Sequence, residues 1–389
     1  MNFIKIRAVD FCKSITDGTH DSPKRTKTGK PLVTSKHLSR YGIDFDSTYL
    51  ISESDYKKVI ARSRVDKWDV LYSMIGTIGN IYIETSNNTE YACKNVGIFK
   101  MGGAEYKSKW LYYYLQTRAA QEYILGVSRG TTQGYVPLGA LRELQIPITD
   151  SYTMNRITSV LWEIDEKIKN NRAINHNLEQ QASALVGHYM QSIDTSVSIA
   201  NIMSFDSGFP FQSSTYLPSG KYRIITIKNV QDGNIETSNT VFINNLPTRM
   251  KNNCILHVGD ILLSLTGNVG RVGIVCEENL LLNQRVAKIV PNDIGLLPLL
   301  YFIFRQPDIK LQMELIAKGT AQSNLSPVET LRLTIPFERK TAEALSRTLA
   351  PMYQTIISTT QESHSLSSLR DALLPKLMSG EIDVSEVEL

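Results

Sequence analysis

From Ile157 onward, apolar residues return every three or four positions: Ile157, Leu161, Ile164 and Ile168, then Leu178, Ala182, Leu185 and Tyr189. This is heptad spacing, the mark of a helix with one long apolar stripe. Asn171 and Asn175 stand in register where the stripe is interrupted. A second stripe comes later. It runs Leu345, Leu349, Met352 and Ile356, then polar Thr359 and Ser363, then Leu366, Leu373 and Leu377. Arg370 is a mismatch in it, and its charge is expected to reach water along the seam. The polar pair falls at the same place in both stripes. The simplest way to satisfy two such stripes is to pack one on the other, with the polar residues costing stability but fixing register. Pro351 and Pro375 are expected to start, kink or end helices, which leaves 352–374 as continuous helix.

Outside the stripes the period changes. Short β-rich runs such as DVLYSM and NIYIET lie between clusters of Gly, Asn, Asp and Ser. Sliding the sequence on itself pairs LVTSKHL at Leu32 with IITIKNV at Ile224, and DVLYSMIGTIGN at Asp69 with DILLSLTGNVGR at Asp260. WLYYYLQT at Trp110 meets LLYFIFRQ at Leu299, RGTTQ at Arg129 meets KGTAQ at Lys318, and LQIPI at Leu144 meets LTIPF at Leu333. The stripe segments HNLEQQASALVGHYM at His176 and HSLSSLRDALLPKLM at His364 also align. Six matches in order, at an offset that narrows only from 192 to 188, indicate a duplication. Each copy carries one amphipathic helix candidate, at 107–125 and 295–306.

The expected organisation is therefore a globule over 1–150, a helical spacer over 151–195, a second globule over 196–337 and a distal helical spacer over 338–389. The fold class is α+β: two similar mixed α/β domains, joined and separated by two long antiparallel coiled-coil helices, with an internal pseudo-two-fold. The proline-free helix of 352–374 would be about 35 Å long at 1.5 Å per residue. One turn of B-DNA is about 34–36 Å.

At 389 residues the length suits two domains. A net charge of +4 permits nucleic-acid binding without establishing it. Cys12, Cys93, Cys254 and Cys276 form no C-x-x-C pair and have no His at zinc spacing, as expected of packed thiols in a reduced, cytoplasmic protein. MNFIKIRAVDF has no apolar signal core. The longest apolar run, LLPLLYFIF from Leu296, is far short of the roughly 18–20 residues of a membrane span and reads as a buried helix. No Walker-type phosphate loop occurs, and the two Gly-x-x-Gly stretches are tight turns lacking the following Lys. The Asn-Pro-Pro-Tyr type run of an amino-methyltransferase is absent too. Glu338-Arg339-Lys340 imitates a nuclease Glu-x-Lys without an upstream Asp, and His20, His37 and His257 show neither triad nor metal spacing. No catalytic residue and no metal site is expected.

TDGTHDSPKRT at Thr16, the Gly-x-x-Gly turns, YACKNVGI and LLNQRVAKI, GTTQ and GTAQ, and LLPKLMSGEI together resemble specificity subunits of type I restriction–modification enzymes, over essentially the whole chain. The resemblance implies two target-recognition domains, each reading one half of a split, asymmetric double-stranded DNA target. It implies helices that act as spacer and as the docking surface for two modification (methyltransferase) subunits, which restriction (motor-nuclease) subunits then join. S-adenosylmethionine, ATP and Mg belong on those partners, with no cofactor on this chain and no membrane contact. The competing expectation is a DNA methyltransferase or nuclease whose motifs are not recognisable.

Lys and Arg neutralise phosphates, while Arg, Asn and Gln pair with base edges. Candidate DNA contacts in the first copy are Thr19, His20, Lys24, Arg25, Lys36, Arg129 and Gln133. In the second they are Lys221, Arg223, Lys228, Asn268, Arg271, Arg285, Lys318, Gln322 and Asn324. DGTH at Asp17 has only a loose counterpart in DSGF at Asp206.

Overall fold

The computed structural model describes residues 3–130, 134–317 and 324–384. The chain divides into two compact units, 1–169 with 366–389, and 170–365.

In the first unit, four antiparallel strands lie in the order Ser14–Asp17, Val96–Lys100, Val70–Ser73, Ile81–Ile83. A second sheet orders Tyr49–Ile51, Lys30–Thr34, Ala92–Lys94, and Ile4–Arg7 pairs with Gln145–Ile148. The second unit repeats this plan. Met203–Ser207, Val286–Pro291, Ile261–Ser264 and Val272–Ile274 form the main sheet, extended by Gly233–Asn234. Val241–Ile243, Tyr222–Ile225 and Leu280–Leu282 form the other sheet, extended by Ile255–Leu256. Ser196–Ser198 pairs with Thr334–Pro336. Every residue of VLYS and of ILLS is buried. Both strands are covered on both faces, which is why their sequences do not alternate.

The Asp just before each such strand, Asp69 or Asp260, has a structural task. Trp68 and Gly259 adopt positive φ, and the next residue closes the turn. Asp69 Oδ2 accepts from Asp66 N–H at 2.7 Å, and Asp260 Oδ2 from His257 N–H at 2.9 Å. Lys100 and Lys288 sit on these carboxylates at 2.5 and 3.6 Å.

The helix expected over 107–125 is two, Glu105–Tyr114 and Arg118–Val127, while the one expected over 295–306 is Leu297–Phe304, followed by a further helix, Pro307–Ala317. The breaks fall where Thr117 caps a new start by accepting from Ala120 N–H, and where Pro307 opens one. The LPLLYFIF segment is a helix buried over almost its whole length.

The stripes form helices Ser151–Ser192 and Arg339–Ser379. At 42 and 41 residues, each is about 60 Å long at 1.5 Å per residue. The second is not confined to 352–374. Pro351 and Pro375 are exposed, and the carbonyls they leave unbonded belong to Arg347 and Asp371, which are exposed too, so the missing bonds cost little. The expected match to one DNA turn is lost with the shorter length.

The helices run antiparallel and pack in both units. In the first unit Ile157, Leu161, Leu374 and Leu377 share one core, with Leu373 packed against it. Ile168 is buried, while Ile164 and Leu366 are half-buried. In the second, Leu349 and Ile356 are buried with Ala182 and Tyr189, and Leu178, Leu345 and Met352 pack against them. Asn171 Nδ2 donates to Glu362 Oε2 (2.7 Å) and Ser363 Oγ (3.3 Å). Asn175 Nδ2 donates to Thr360 Oγ1 (3.1 Å), and Thr359 Oγ1 donates to Asn175 Oδ1 (2.5 Å).

Two expectations are corrected. Leu185 is 40% exposed, and Val186 takes the buried place. The stripe there steps 4, 4, 3 through Ala182, Val186 and Tyr189, an eleven-residue repeat closer to the true helical period than the heptad. Arg370 is 1% exposed instead of reaching water. Its guanidinium donates to Asp165 Oδ1 at 2.6 Å, and Tyr113 Oη donates to Asp165 Oδ2 at 2.8 Å. A buried cation this well paired is tolerated where a lone one is not.

Candidate nucleic-acid interface

In the first unit, stretches far apart in sequence meet on one rim. Strand Lys30–Thr34 ends in a turn where Thr34 N–H donates to His37 Nδ1 at 2.9 Å. His37 is buried, and Lys36 faces solvent. Beside it, strand Val70–Ser73 runs into the Gly-x-x-Gly turn, with Gly76 at φ 75° and Gly79 at φ 100°. Ile75 N–H donates to Ser35 Oγ (3.5 Å), whose hydroxyl donates to Asn95 O (3.2 Å). Gly76 N–H donates to Gly134 O, and Arg129 and Tyr135 exchange backbone hydrogen bonds, so the Arg129 stretch lies against the same turn. Thr34, Ser35, Lys36, Gly76, Thr77 and Asn95 line an open cleft of about 250 Å³. Thr19 and His20 join from the other side. Thr19 N–H donates to Cys93 O, and His20 Nδ1 lies 2.9 Å from Asn95 Oδ1.

The second unit builds the same rim. Thr226 N–H donates to Asn229 Oδ1 at 2.9 Å, in the role His37 plays in the first copy, and Lys228 is exposed like Lys36. Gly267 and Gly270 have φ 71° and 78°. Leu265 N–H donates to Arg285 O, and Asn324 bridges Thr266. Asn268, Arg271, Lys310 and Glu314 line a cleft of about 340 Å³ beside the turn, and Arg271 is held by Gln231.

Some candidates lie elsewhere. Lys24 and Arg25 belong to an exposed loop, with Arg25 stacked 5.0 Å over the Tyr49 ring. Lys221 lies over Tyr222, and Arg223 pairs with Glu277. Burial alone would raise the Glu277 carboxyl, but His364, Thr237 and Arg223 pull it down to about 2. Arg223 is thus part of a structural cluster. Gln133, Lys318 and Gln322 lie outside the described residues. Sequence reasoning missed Asn95, Gln284 and the glycines Gly18 and Gly208. A Cβ at Gly18 would meet Cys93 O at 2.3 Å, and one at Gly208 would meet Asn283 O at 2.3 Å. That shared close approach makes DGTH and DSGF true counterparts, centred on the glycine and not on the Asp.

No group of three His, Cys, Asp or Glu suited to a metal occurs among the described residues. Glu338 caps the second long helix, accepting from Thr341 N–H at 2.7 Å. The four cysteines are buried. Burial pushes the thiols of Cys12 and Cys276 up to about 12. No described helix is long and apolar enough to cross a membrane.

The family model described as the type I restriction modification DNA specificity domain matches twice, over residues 5–180 and 195–367. The chain belongs to that family. It is a non-catalytic DNA specificity subunit of a type I restriction–modification system. It is 26% identical to the MjaIX specificity subunit of Methanocaldococcus jannaschii, over 92% of this chain and 88% of that one. It is 21% identical to the HindI specificity subunit of Haemophilus influenzae, over 83% and 88%. Its fold resembles the S subunit from M. genitalium, with a TM-score of 0.58 at 18% identity, covering 97% and 96% of the two chains. In this specificity subunit each of the two family matches contains the described residues of one rim.

Proposed function

We propose that this specificity subunit reads a two-part, asymmetric duplex target, one half-site per rim. The long helices hold the half-sites at a fixed spacing and seat two modification subunits, which restriction subunits then join. S-adenosylmethionine, ATP and Mg act on those partners, while this chain supplies shape and charge. One observation carries the reading. Both units assemble a rim with the same frame, an exposed Lys beside a Gly-x-x-Gly turn, yet with different side chains around it. Shared cations suit phosphates, which carry no sequence information, and divergent polar side chains suit base edges. The first-copy candidates at the rim are Thr19, His20, Lys36 and Arg129; the second-copy ones are Lys228, Asn268, Arg271, Arg285 and Asn324.

Exchanging residues 1–145 for the corresponding globule of another specificity subunit tests this. Methylated-motif mapping with the modification subunits is expected to show one half of the target replaced and the other half and the spacer kept. A change in both halves, or in neither, overturns the reading. Methyl transfer from labelled S-adenosylmethionine by this chain alone would do so too.

A further inference from the structure

Among the described residues, the two rims differ in length at the short lip that leads into the strand paired with VLYS or ILLS. Sheet register fixes the equivalence. Cys93 pairs with Val33 and Leu282 with Ile225, one step before the Thr34 and Thr226 turns. Val96 pairs with Ser73 and Val286 with Ser264. Between these fixed points the first copy has Lys94-Asn95, and the second has Asn283-Gln284-Arg285. The second lip is one residue longer, and Gln284-Arg285 fill the place of Asn95. Backbone bonds agree: Asn95 N–H donates to Thr19 O, and Gln284 N–H donates to Phe209 O.

Asn95 is built into its position. It holds φ 56°, a left-handed conformation that Asn tolerates better than most residues. Its amide oxygen meets His20 Nδ1 at 2.9 Å, His20 Nε2 meets Asp17 Oδ2 at 2.9 Å, and Arg62 pairs with the other Asp17 oxygen. This chain aims the amide while using one lone pair of its oxygen. A second lone pair and two N–H donors remain, the set that matches the N6/N7 edge of adenine. Arg285 is exposed, and its side chain makes no hydrogen bond or ion pair among the described residues. Its backbone is fixed by Asn283 Oδ1, which accepts from Arg285 N–H. A guanidinium presented this way matches O6/N7 of guanine.

We propose that this lip is the base-reading position of each module: Asn95 selects an adenine in one half-site and Arg285 a guanine in the other. Asp17 and His20 are positioning residues for Asn95. The proposal rests on the two-part reading above and goes further, to base identity. Lys36 and Lys228, common to both rims, contact phosphate.

The test uses the full chain in complex with its modification subunits, and duplexes randomised at each half-site position, recovered by binding and sequenced. Asn95→Ala and Asn95→Gly (glycine suits the left-handed backbone, so the fold is kept) are expected to lose about tenfold of the preference for adenine at one position of one half-site. Arg285→Ala is expected to do the same for guanine in the other. Asp17→Asn should relax the Asn95 position alone, a shift in base preference that a purely structural role would not give. Lys36→Ala should lower recovery of all sequences without changing the profile. If the Asn95 and Arg285 variants give the unchanged wild-type profile, or a uniform loss like that of Lys36→Ala, this proposal fails while the two-part reading stands. If the wild type selects no two-part sequence, both fail.

Discussion

In the first unit Thr34 N–H is held by His37, and in the second Thr226 N–H is held by Asn229. The residue just before, Lys36 or Lys228, faces solvent in both. The same turn is thus closed by two different side chains and delivers the same cation. The closing carboxylates Asp69 and Asp260 also recur with their lysines, whereas the lip of Asn95 against Gln284-Arg285 changes in both length and chemistry. What the duplication kept is the backbone path and the cation it delivers, whichever side chain closes the turn; what it let diverge is the length and chemistry of the lip.

The two carboxylate turns give the largest expected difference. Asp69 is 1% exposed and sits 2.5 Å from Lys100, whereas Asp260 is 23% exposed and 3.6 Å from Lys288. Burial pushes the Asp69 carboxyl up against the pull of Lys100 and of the Asp66 and Met101 amides. Removing it leaves two backbone donors without an acceptor and takes one of two carboxylates from Lys100, which keeps Asp66 and the Arg64 carbonyl. Asp69→Ala is therefore expected to cost about 3 kcal/mol, mostly from the two unpaired donors, and Asp260→Ala about 1 kcal/mol. Urea denaturation of both variants checks this, and equal costs would mean that the frame is not asymmetric here.

A smaller effect is expected where the globules are tied to the long helices. The first unit uses Tyr113, Asp165 and Arg370. The second uses Tyr301 and Arg305 on Glu179, and His364 on Glu277 at 3.1 Å. With its carboxyl near 2 in the folded state against about 4.3 unfolded, Glu277 contributes stability that is complete above the unfolded value and declines as pH falls toward 2. Glu277→Gln should cost about 2 kcal/mol at pH 7. The gap from wild type should narrow by pH 3 and close near pH 2. A gap that stays constant with pH would show that Glu277 is held by shape and not by charge.

Much of this organisation is legible in the sequence because it is periodic or repeated. The stripes give the long helices, and the aligned stretches give the doubled strands and globule helices. The site is half legible for a physical reason. Lys36 and Lys228 stand in aligned stretches, but Asn95 earns its place through φ, an insertion of one residue opposite it, and a relay from Arg62 and Asp17, none of which has a period. Arg223 and Arg370 misled in the other direction. A basic residue among polar neighbours looks solvated until the fold brings Glu277 or Asp165 beside it. Pro351 and Pro375 read as breakers in the sequence, but the penalty depends on which carbonyl is stranded, and both residues that carry those carbonyls are exposed.

The smallest expected effect isolates the turn itself. His37 must keep Nδ1 unprotonated to accept from Thr34 N–H, while burial, and then the charge of Lys36, lower its affinity for a proton. Asp44 opposes them. The folded-state value lies below the unfolded one of about 6.5. The turn's contribution is therefore complete above 6.5 and is lost as pH falls from there through the lower folded value. Asn229 does the same work without titrating. His37→Asn is expected to leave stability at pH 8 within about 1 kcal/mol of wild type and to remove part of the acid sensitivity between pH 6.5 and 5. Binding to the first half-site should then weaken less on acidification than in the wild type, while binding to the second is unchanged. Identical pH profiles for variant and wild type would mean that the two turns differ in name only, and that the divergence between the modules begins at the lip.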